Sequence, residues 1–207
     1  KRKKKKMKLI FINGPSGSGK TTLSKKILRE FENSIILSTD NYYKTGIISK
    51  ILSKFIDGYF DRKISFNYKL LKEDLNFIIN NGESIYEYKY NFDKKNVKKS
   101  LNKKSNINYL IVEGIFAEEL FRKFLNNFSL LIELKTKKNT CMKRVILRDV
   151  EKRGKSKESA KRDFLKSWKI FYKNKKIHFP LKNITKITFT DKTDFKKVYE
   201  EIINLKN

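Results

Sequence analysis

Three sets of residues in this chain have the types and spacing needed to handle a phosphate group. The first is Gly14-Pro15-Ser16-Gly17-Ser18-Gly19-Lys20-Thr21-Thr22, which satisfies G-x-x-x-x-G-K-[ST] in full. Glycines let a backbone wrap around an anion so that successive N–H groups point inward, and a helix starting at the loop adds the positive end of its dipole. Lys20 is placed to reach the β- and γ-phosphates of a nucleoside triphosphate, and the Thr21 hydroxyl to ligate Mg²⁺. The second set is Asp40 within Ser38-Thr39-Asp40-Asn41-Tyr42-Tyr43, and the third is Glu113, which ends the apolar run Tyr109-Leu110-Ile111-Val112. Together they read as phosphoryl transfer, where catalysis is mainly positioning and charge neutralisation. Asp40 would orient an acceptor hydroxyl and take its proton, while Glu113 would share the metal with Thr21, directly or through water. Each acid also has a plainer reading, a cap or turn for Asp40 and a structural strand end for Glu113.

The elements that must hold these groups follow from periodicity. Leu9-Ile10-Phe11-Ile12 is a buried-strand run ahead of the loop, and Leu23, Ile27, Leu28 and Phe31 recur at helical spacing behind it. Ser34-Ile35-Ile36-Leu37 predicts a second strand whose carboxyl end delivers Asp40 to the rim where open α/β sheets bind ligands. Residues 47–61 show only weak periodicity and end in Phe60-Asp61. Leu71, Leu75, Ile78 and Ile79 predict a helix closed by Asn80-Asn81-Gly82. Ile85-Tyr86-Glu87-Tyr88-Lys89-Tyr90 alternates as a strand with one open face, and the Lys- and Asn-rich residues 94–108 read as its turn or return. Further on, Leu120, Phe121, Phe124 and Leu125 line one helical face, Leu130-Leu131-Ile132-Glu133-Leu134 is a strand, and Met142, Val145 and Ile146 open another helix. Trp168, Phe171 and Tyr172 read as core aromatics, residues 184–189 as a last strand, and Phe195, Val198, Tyr199, Ile202 and Ile203 as a terminal amphipathic helix. Alternating strands and helices predict an α/β fold of three layers, a parallel sheet with helices on both faces. Residues 8–207 then form one domain, with a small β-hairpin at about 83–108 and a basic lid at about 148–160. Arg144, Arg148, Arg153 and Lys155, with Gly154 as a hinge, could close over a triphosphate; a solvated helix face paired with Asp149 and Glu151 is an equal alternative.

Composition narrows the classes. The single cysteine, Cys141, excludes a disulfide framework and suits a reducing cytoplasm; no 18-residue apolar run offers a membrane span, so no membrane partner is expected. The basic start, residues 1–7, reads as a solvated, disordered arm and not as a secretory leader. A net charge of +28 would suit a polyanion binder, but lysines spread along a chain also rich in Asn, Ile, Phe and Tyr point to a compositional bias, and nucleic acid is not the expected partner. A nucleic-acid-binding protein using the loop as a switch is the rival from another class. The only histidine, His178, lies outside every motif, and no Cys/His cluster suggests zinc.

With these residues in view, the chain resembles the uridine kinase (uridine–cytidine kinase) family of P-loop kinases from Lys8 to about Lys155. Gly14 to Thr22 resembles its phosphate loop, residues 38–43 its S-x-D-x-[FY]-Y segment, and Phe60-Asp61 its F-D element. Residues 85–90 resemble its I-P-x-Y-D-F strand, residues 111–115 its [IV]-x-E-G-I motif, and residues 141–155 its lid with R-D-x-x-x-R-G-[RK]. The resemblance implies Asp40 as catalytic base, Tyr43, Asp61 and Tyr88 around a nucleoside, Asp61 on its ribose hydroxyls, and Arg148, Arg153 and Lys155 as lid cations. It also implies ATP or GTP as donor, Mg²⁺, and frequent homo-oligomers. The chain departs from the pattern on the acceptor side. Tyr86 and Lys89 replace a proline and an aspartate, Lys63 replaces the proline of F-D-x-P, and the base-reading histidine falls on Asp93. A lid arginine falls on Val145, where the adjacent Arg144 could substitute. An acceptor other than uridine, such as pantothenate or a sugar-like alcohol, is therefore a second expectation.

Overall fold

Leu9, Ile10, Phe11 and Ile12 are all apolar because the strand they form is covered on both sides. A computed structural model of the chain describes residues 6–91, 94–124, 129–176, 186–190 and 194–205. Its strands are β1 (Lys8–Asn13), β2 (Ser34–Ser38), β3 (Ser84–Asn91), β4 (Asn96–Lys104), β5 (Tyr109–Gly114), β6 (Ser129–Leu134) and β7 (Lys186–Phe189). The helices are α1 (Lys20–Glu30), α2 (Ile47–Phe55), α3 (Tyr68–Asn81), α4 (Ala117–Lys123), α5 (Lys138–Arg153), α6 (Lys157–Lys176) and α7 (Phe195–Asn204). β1 is the middle strand of a sheet ordered β2-β5-β1-β6-β7, parallel at every pairing. Leu9 and Phe11 point to one face, packed with Leu71, Leu75 and Ile78 of α3 and Leu120 and Phe121 of α4. Ile10 and Ile12 point to the other, packed with Leu23 and Ile27 of α1 and Val198 and Ile202 of α7. The period-2 alternation thus feeds two cores from one strand. Lys8, though buried, donates to the carbonyls of Ile202 and Ile203 at 3.1 and 2.8 Å, where the end of α7 favours a cation.

Two attachments stand on this sheet. β3 and β4 pair antiparallel as the hairpin, over the short 3-10 turn Thr39–Tyr42 that follows β2. The Asn- and Lys-rich return is therefore a full strand, held by its ladder although its residue types favour turns. α5 and α6 pack on one another through Cys141, Val145 and Phe164, with Met142 and Trp168 beside them. α3 ends as its sequence announces, with Gly82 left-handed at φ 69° and its N–H on the Ile78 carbonyl at 2.8 Å. Residues 47–61 hold α2 and a 3-10 turn, Tyr59–Asp61, followed by a second turn, Lys63–Ser65. The apolar residues of α2, Ile47, Ile48, Ile51, Leu52 and Phe55, do recur at helical spacing, but most of them face outward and none is buried in a core. Leu125, His178 and residues 184–185 lie outside the described residues.

Gly114 ends β5 at φ 151°, and a Cβ on it would overlap the Thr39 side chain, which is fully buried beside Asp40. Gly114→Ala is therefore expected to lower stability by more than about 2 kcal/mol in thermal or urea unfolding. A change within about 0.5 kcal/mol would refute this close approach.

Candidate active site

The loop between β1 and α1 is shaped by contacts that leave no room for side chains. Gly17 has φ 78°, and a Cβ there would strike the Cys141 carbonyl and Val145 of α5. Gly19 has φ 100°, and a Cβ on Gly14 would lie 2.7 Å from Ser18 Oγ. Thr136 Oγ1 donates to the Ser18 carbonyl at 3.0 Å and Arg144 Nη1 to the Gly17 carbonyl at 3.3 Å. Lys20 is buried and donates to the carbonyls of Gly14 and Pro15 at 2.9 and 3.1 Å. Burial pulls its pKa down, opposed by the charges of Glu113 and Asp40, while Arg148 adds to the lowering. Thr21 and Thr22 are exposed on the first turn of α1, and Ser16 is half-buried in the loop. Donor-side residues far apart in sequence are thereby gathered around one ammonium.

Asp40 lies on the Thr39–Tyr42 turn, close enough to Lys20, Glu113, Tyr43 and Asp61 to act on each of their charges. Tyr43, buried, hydrogen-bonds Asp40, and burial with these two acids drives its phenol pKa well up. Glu113 is buried at the end of β5 and accepts from Ser38 Oγ at 2.6 Å. Burial and the charge of Asp40 raise its pKa, with Lys20 and Ser38 opposing. Asp61 is half-buried and accepts from Ser167 Oγ of α6 at 2.6 Å. Desolvation, with the charges of Asp40 and Asp163, lifts it to about 6 against the Ser167 bond and Arg62. The hydroxyls of Thr21 and Ser38 and the carboxylate of Glu113 are hard oxygen donors of the kind Mg²⁺ takes. Among the described residues no group of three or more His, Cys, Asp or Glu is arranged around a metal, and Mg²⁺ uses few protein ligands.

Two of the residues expected around the acceptor make other contacts. Tyr88 packs against Tyr42, ring centroids 5.3 Å apart, and lies within electrostatic reach of Asp74 on α3. Tyr90, two residues on and on the same strand face, packs against Tyr43 at 5.1 Å and Phe60 at 6.0 Å instead. Arg144, expected beside the acceptor, bonds the phosphate loop, while Val145 is buried under Gly17. Asp93 lies outside the described residues. Tyr90 and Ser167 are not among the expected residues: strand alternation places Tyr90 on the face of Tyr88, and no local signal points to Ser167.

The three cations of the α5–α6 junction converge on a buried Asp149. Arg148 Nη2, Arg153 Nη1 and Lys155 Nζ lie 2.8, 3.4 and 3.8 Å from its oxygens, and Lys155 also reaches Asp163 at 2.7 Å. Gly154, left-handed at φ 59°, turns the chain between the helices. The junction is thus a folded ion-pair hub, with Arg148 within electrostatic reach of Lys20.

A parallel sheet carrying this loop, with an acid at the end of the neighbouring strand and a basic helical junction above, defines a P-loop kinase fold. The chain belongs to the phosphoribulokinase / uridine kinase family, whose model matches residues 9–175, and is by that membership a phosphotransferase. It is 32% identical over 168 residues to the uridine kinase of Borrelia duttonii, covering 80% of this chain and 79% of that protein. Its structure is similar to D-glycerate 3-kinase from Cryptococcus neoformans, with TM-score 0.61 and 13% identity over 91% of this chain and 87% of the other. It is also similar to a possible uridine kinase from Bacillus stearothermophilus, with TM-score 0.59 and 13% identity over 88% of each chain. At such identities the two structures speak for the fold alone.

Asp61 gives a pH test. Its folded pKa lies above the ordinary 3.8, so ionising it opposes folding: the penalty is absent below 3.8 and complete above about 6. Asp61→Asn should therefore unfold at higher denaturant than the parent above pH 6, by about 1–3 kcal/mol, with the gap closing toward about pH 4. A gap independent of pH would contradict this.

Proposed function

We propose that the chain transfers the γ-phosphoryl group of ATP, in the presence of Mg²⁺, to the 5′-hydroxyl of uridine or cytidine. The observation that carries this reading is the place of Asp40, with Lys20 and Glu113 on one side and Tyr43 and Asp61 on the other. Asp40 takes the proton as the acceptor oxygen bonds to phosphorus, and the bond to the bridging oxygen breaks with its electron pair leaving on ADP. Tyr43 holds Asp40 through its hydrogen bond. Asp61 can accept from two hydroxyls, as a vicinal ribose diol offers, and Tyr43, Phe60 and Tyr90 supply an aromatic wall suited to a planar base. The loop N–H groups and Lys20 hold the phosphates, and Arg148, Arg153 and Lys155 add charge when released from Asp149. Thr21 and Glu113 would hold Mg²⁺, which neutralises charge on the β- and γ-oxygens. GTP can serve as donor on the same phosphate contacts. The uridine kinase relative supports the acceptor class.

A second reading keeps the chemistry and changes the alcohol to pantothenate or a sugar-like acceptor. The packing of Tyr88 against Tyr42 favours it, because the acceptor wall then differs from the family pattern.

Incubation with ATP, Mg²⁺ and a panel of nucleosides and other alcohols separates the two. Monophosphate from uridine or cytidine is the expected product, and its absence from every pyrimidine nucleoside would exclude the first reading. Asp40→Asn should retain ATP binding and lose turnover by about 100-fold or more; near-parental turnover would remove Asp40 from the mechanism.

A further inference from the structure

α2 is amphipathic in the reverse of the usual sense. Ile47, Ile48, Ile51 and Phe55 are 76%, 74%, 49% and 82% exposed, with Ile47, Ile51 and Phe55 on successive turns of one face. Its serines face the protein: Ser49 is buried, donating to the Lys44 carbonyl at 2.8 Å and accepting from the Tyr59 hydroxyl at 3.2 Å. Ser53 accepts from Lys95 Nζ of the hairpin turn at 2.9 Å. A helix packed on its own domain would show the opposite pattern. Contiguous exposed apolar side chains of this kind mark a contact surface.

A second feature begins two residues beyond Phe55. Between this segment and α6 lies a groove of about 560 Å³ whose walls carry Arg62, Lys63, Lys166, Lys169 and Lys173. Of these five cations Lys166 engages the wall's acid, Asp57, at 2.9 Å and Lys63 engages Glu119 at 2.8 Å, which leaves a net formal charge of +3 from Arg62, Lys169 and Lys173. Lys166, Lys169 and Lys173 share one face of α6, and like charges at that spacing repel unless anions screen them.

We propose that α2 and the adjoining groove dock the protein on an anionic lipid surface, the apolar face entering the headgroup boundary and the cations meeting lipid phosphates. The proposal is independent of which alcohol is phosphorylated. Nucleic acid would satisfy the groove but offers nothing to Ile47, Ile48, Ile51 and Phe55. A second copy placed face to face would oppose Lys50 and Lys54 of each helix to their own kind, in a chain of net charge +28. An anionic bilayer answers both features at once. No described helix is long and apolar enough to cross a membrane, so the contact is peripheral, reversible and weakened by salt.

The test is co-sedimentation of the full chain with phosphatidylcholine vesicles and with vesicles doped with phosphatidylglycerol. Binding is expected only to the anionic vesicles. Ile48→Ser/Phe55→Ser should lower the partition coefficient by about tenfold or more, and Lys169→Gln/Lys173→Gln should weaken binding and flatten its salt dependence. Both variants should keep the parent's thermal melt, since these side chains are exposed. In a Phe55→Trp variant, tryptophan emission should shift to the blue on adding anionic vesicles. Three results would each overturn the proposal. These are no vesicle binding by the parent, parental binding by Ile48→Ser/Phe55→Ser (bare polycation adsorption), and a parental dimer in light scattering that this double variant dissociates, which would assign the face to a second copy.

Discussion

An ammonium buried at the root of the glycine loop needs negative charge near it, and in this chain Lys20 finds it in Glu113 and Asp40. Those acids repel one another, so each is given a donor: Ser38 for Glu113 and Tyr43 for Asp40. Asp61 extends the same crowding outward and is held by Ser167. Glu113 and Asp61 are thereby made harder to ionise. That favours the arrival of positive charge, as a metal ion or lid side chain, together with the substrate phosphates.

Precision in that arrangement depends on the Thr39–Tyr42 turn, which is tied on three sides. Asn41 Oδ1 accepts from the Tyr90 N–H of the hairpin at 3.1 Å, Tyr42 donates to Asp74 of α3 at 2.9 Å, and the Asn67 N–H reaches the Tyr42 carbonyl at 2.7 Å. Burial is the main cause of the raised phenol pKa of Tyr42, with Asp74 adding to it, so the tie to α3 stays protonated across the physiological range. The Tyr43 ring lies edge-on to Phe60, Phe66 and Tyr90. Asp40 is thus fixed by the same contacts that hold these rings.

How much of this could be read from the chain depends on the range of the interactions. The central strands, α1, α3 and the donor loop were legible because periodicity and glycine spacing are local. So was the pairing of Asp40 with Glu113, since both end strands on the same rim. The Tyr88 and Tyr90 exchange was not, because which residue of an alternating strand meets the turn depends on how the hairpin is docked, and one step of two residues decides it. The bond of Arg144 to the phosphate loop was not legible for a similar reason: one helical residue is about 100° of rotation, enough to redirect a guanidinium. α2 escaped notice although Ile47, Ile48, Ile51, Leu52 and Phe55 recur at helical spacing, and only the direction its apolar stripe faces lay beyond the sequence.

Asp149 has a consequence for the order of events. Its carboxylate stores Arg148, Arg153 and Lys155 on one buried anion, so drawing them onto a nucleotide is an ion exchange and not a simple hinge closure. In the proposed reaction, a triphosphate carries enough charge to compete with Asp149 for those cations. The diphosphate left after transfer carries less, so the balance tips back and the junction returns to its internal partner. On the proposed reaction, such an exchange would follow the charge of the nucleotide and not its base.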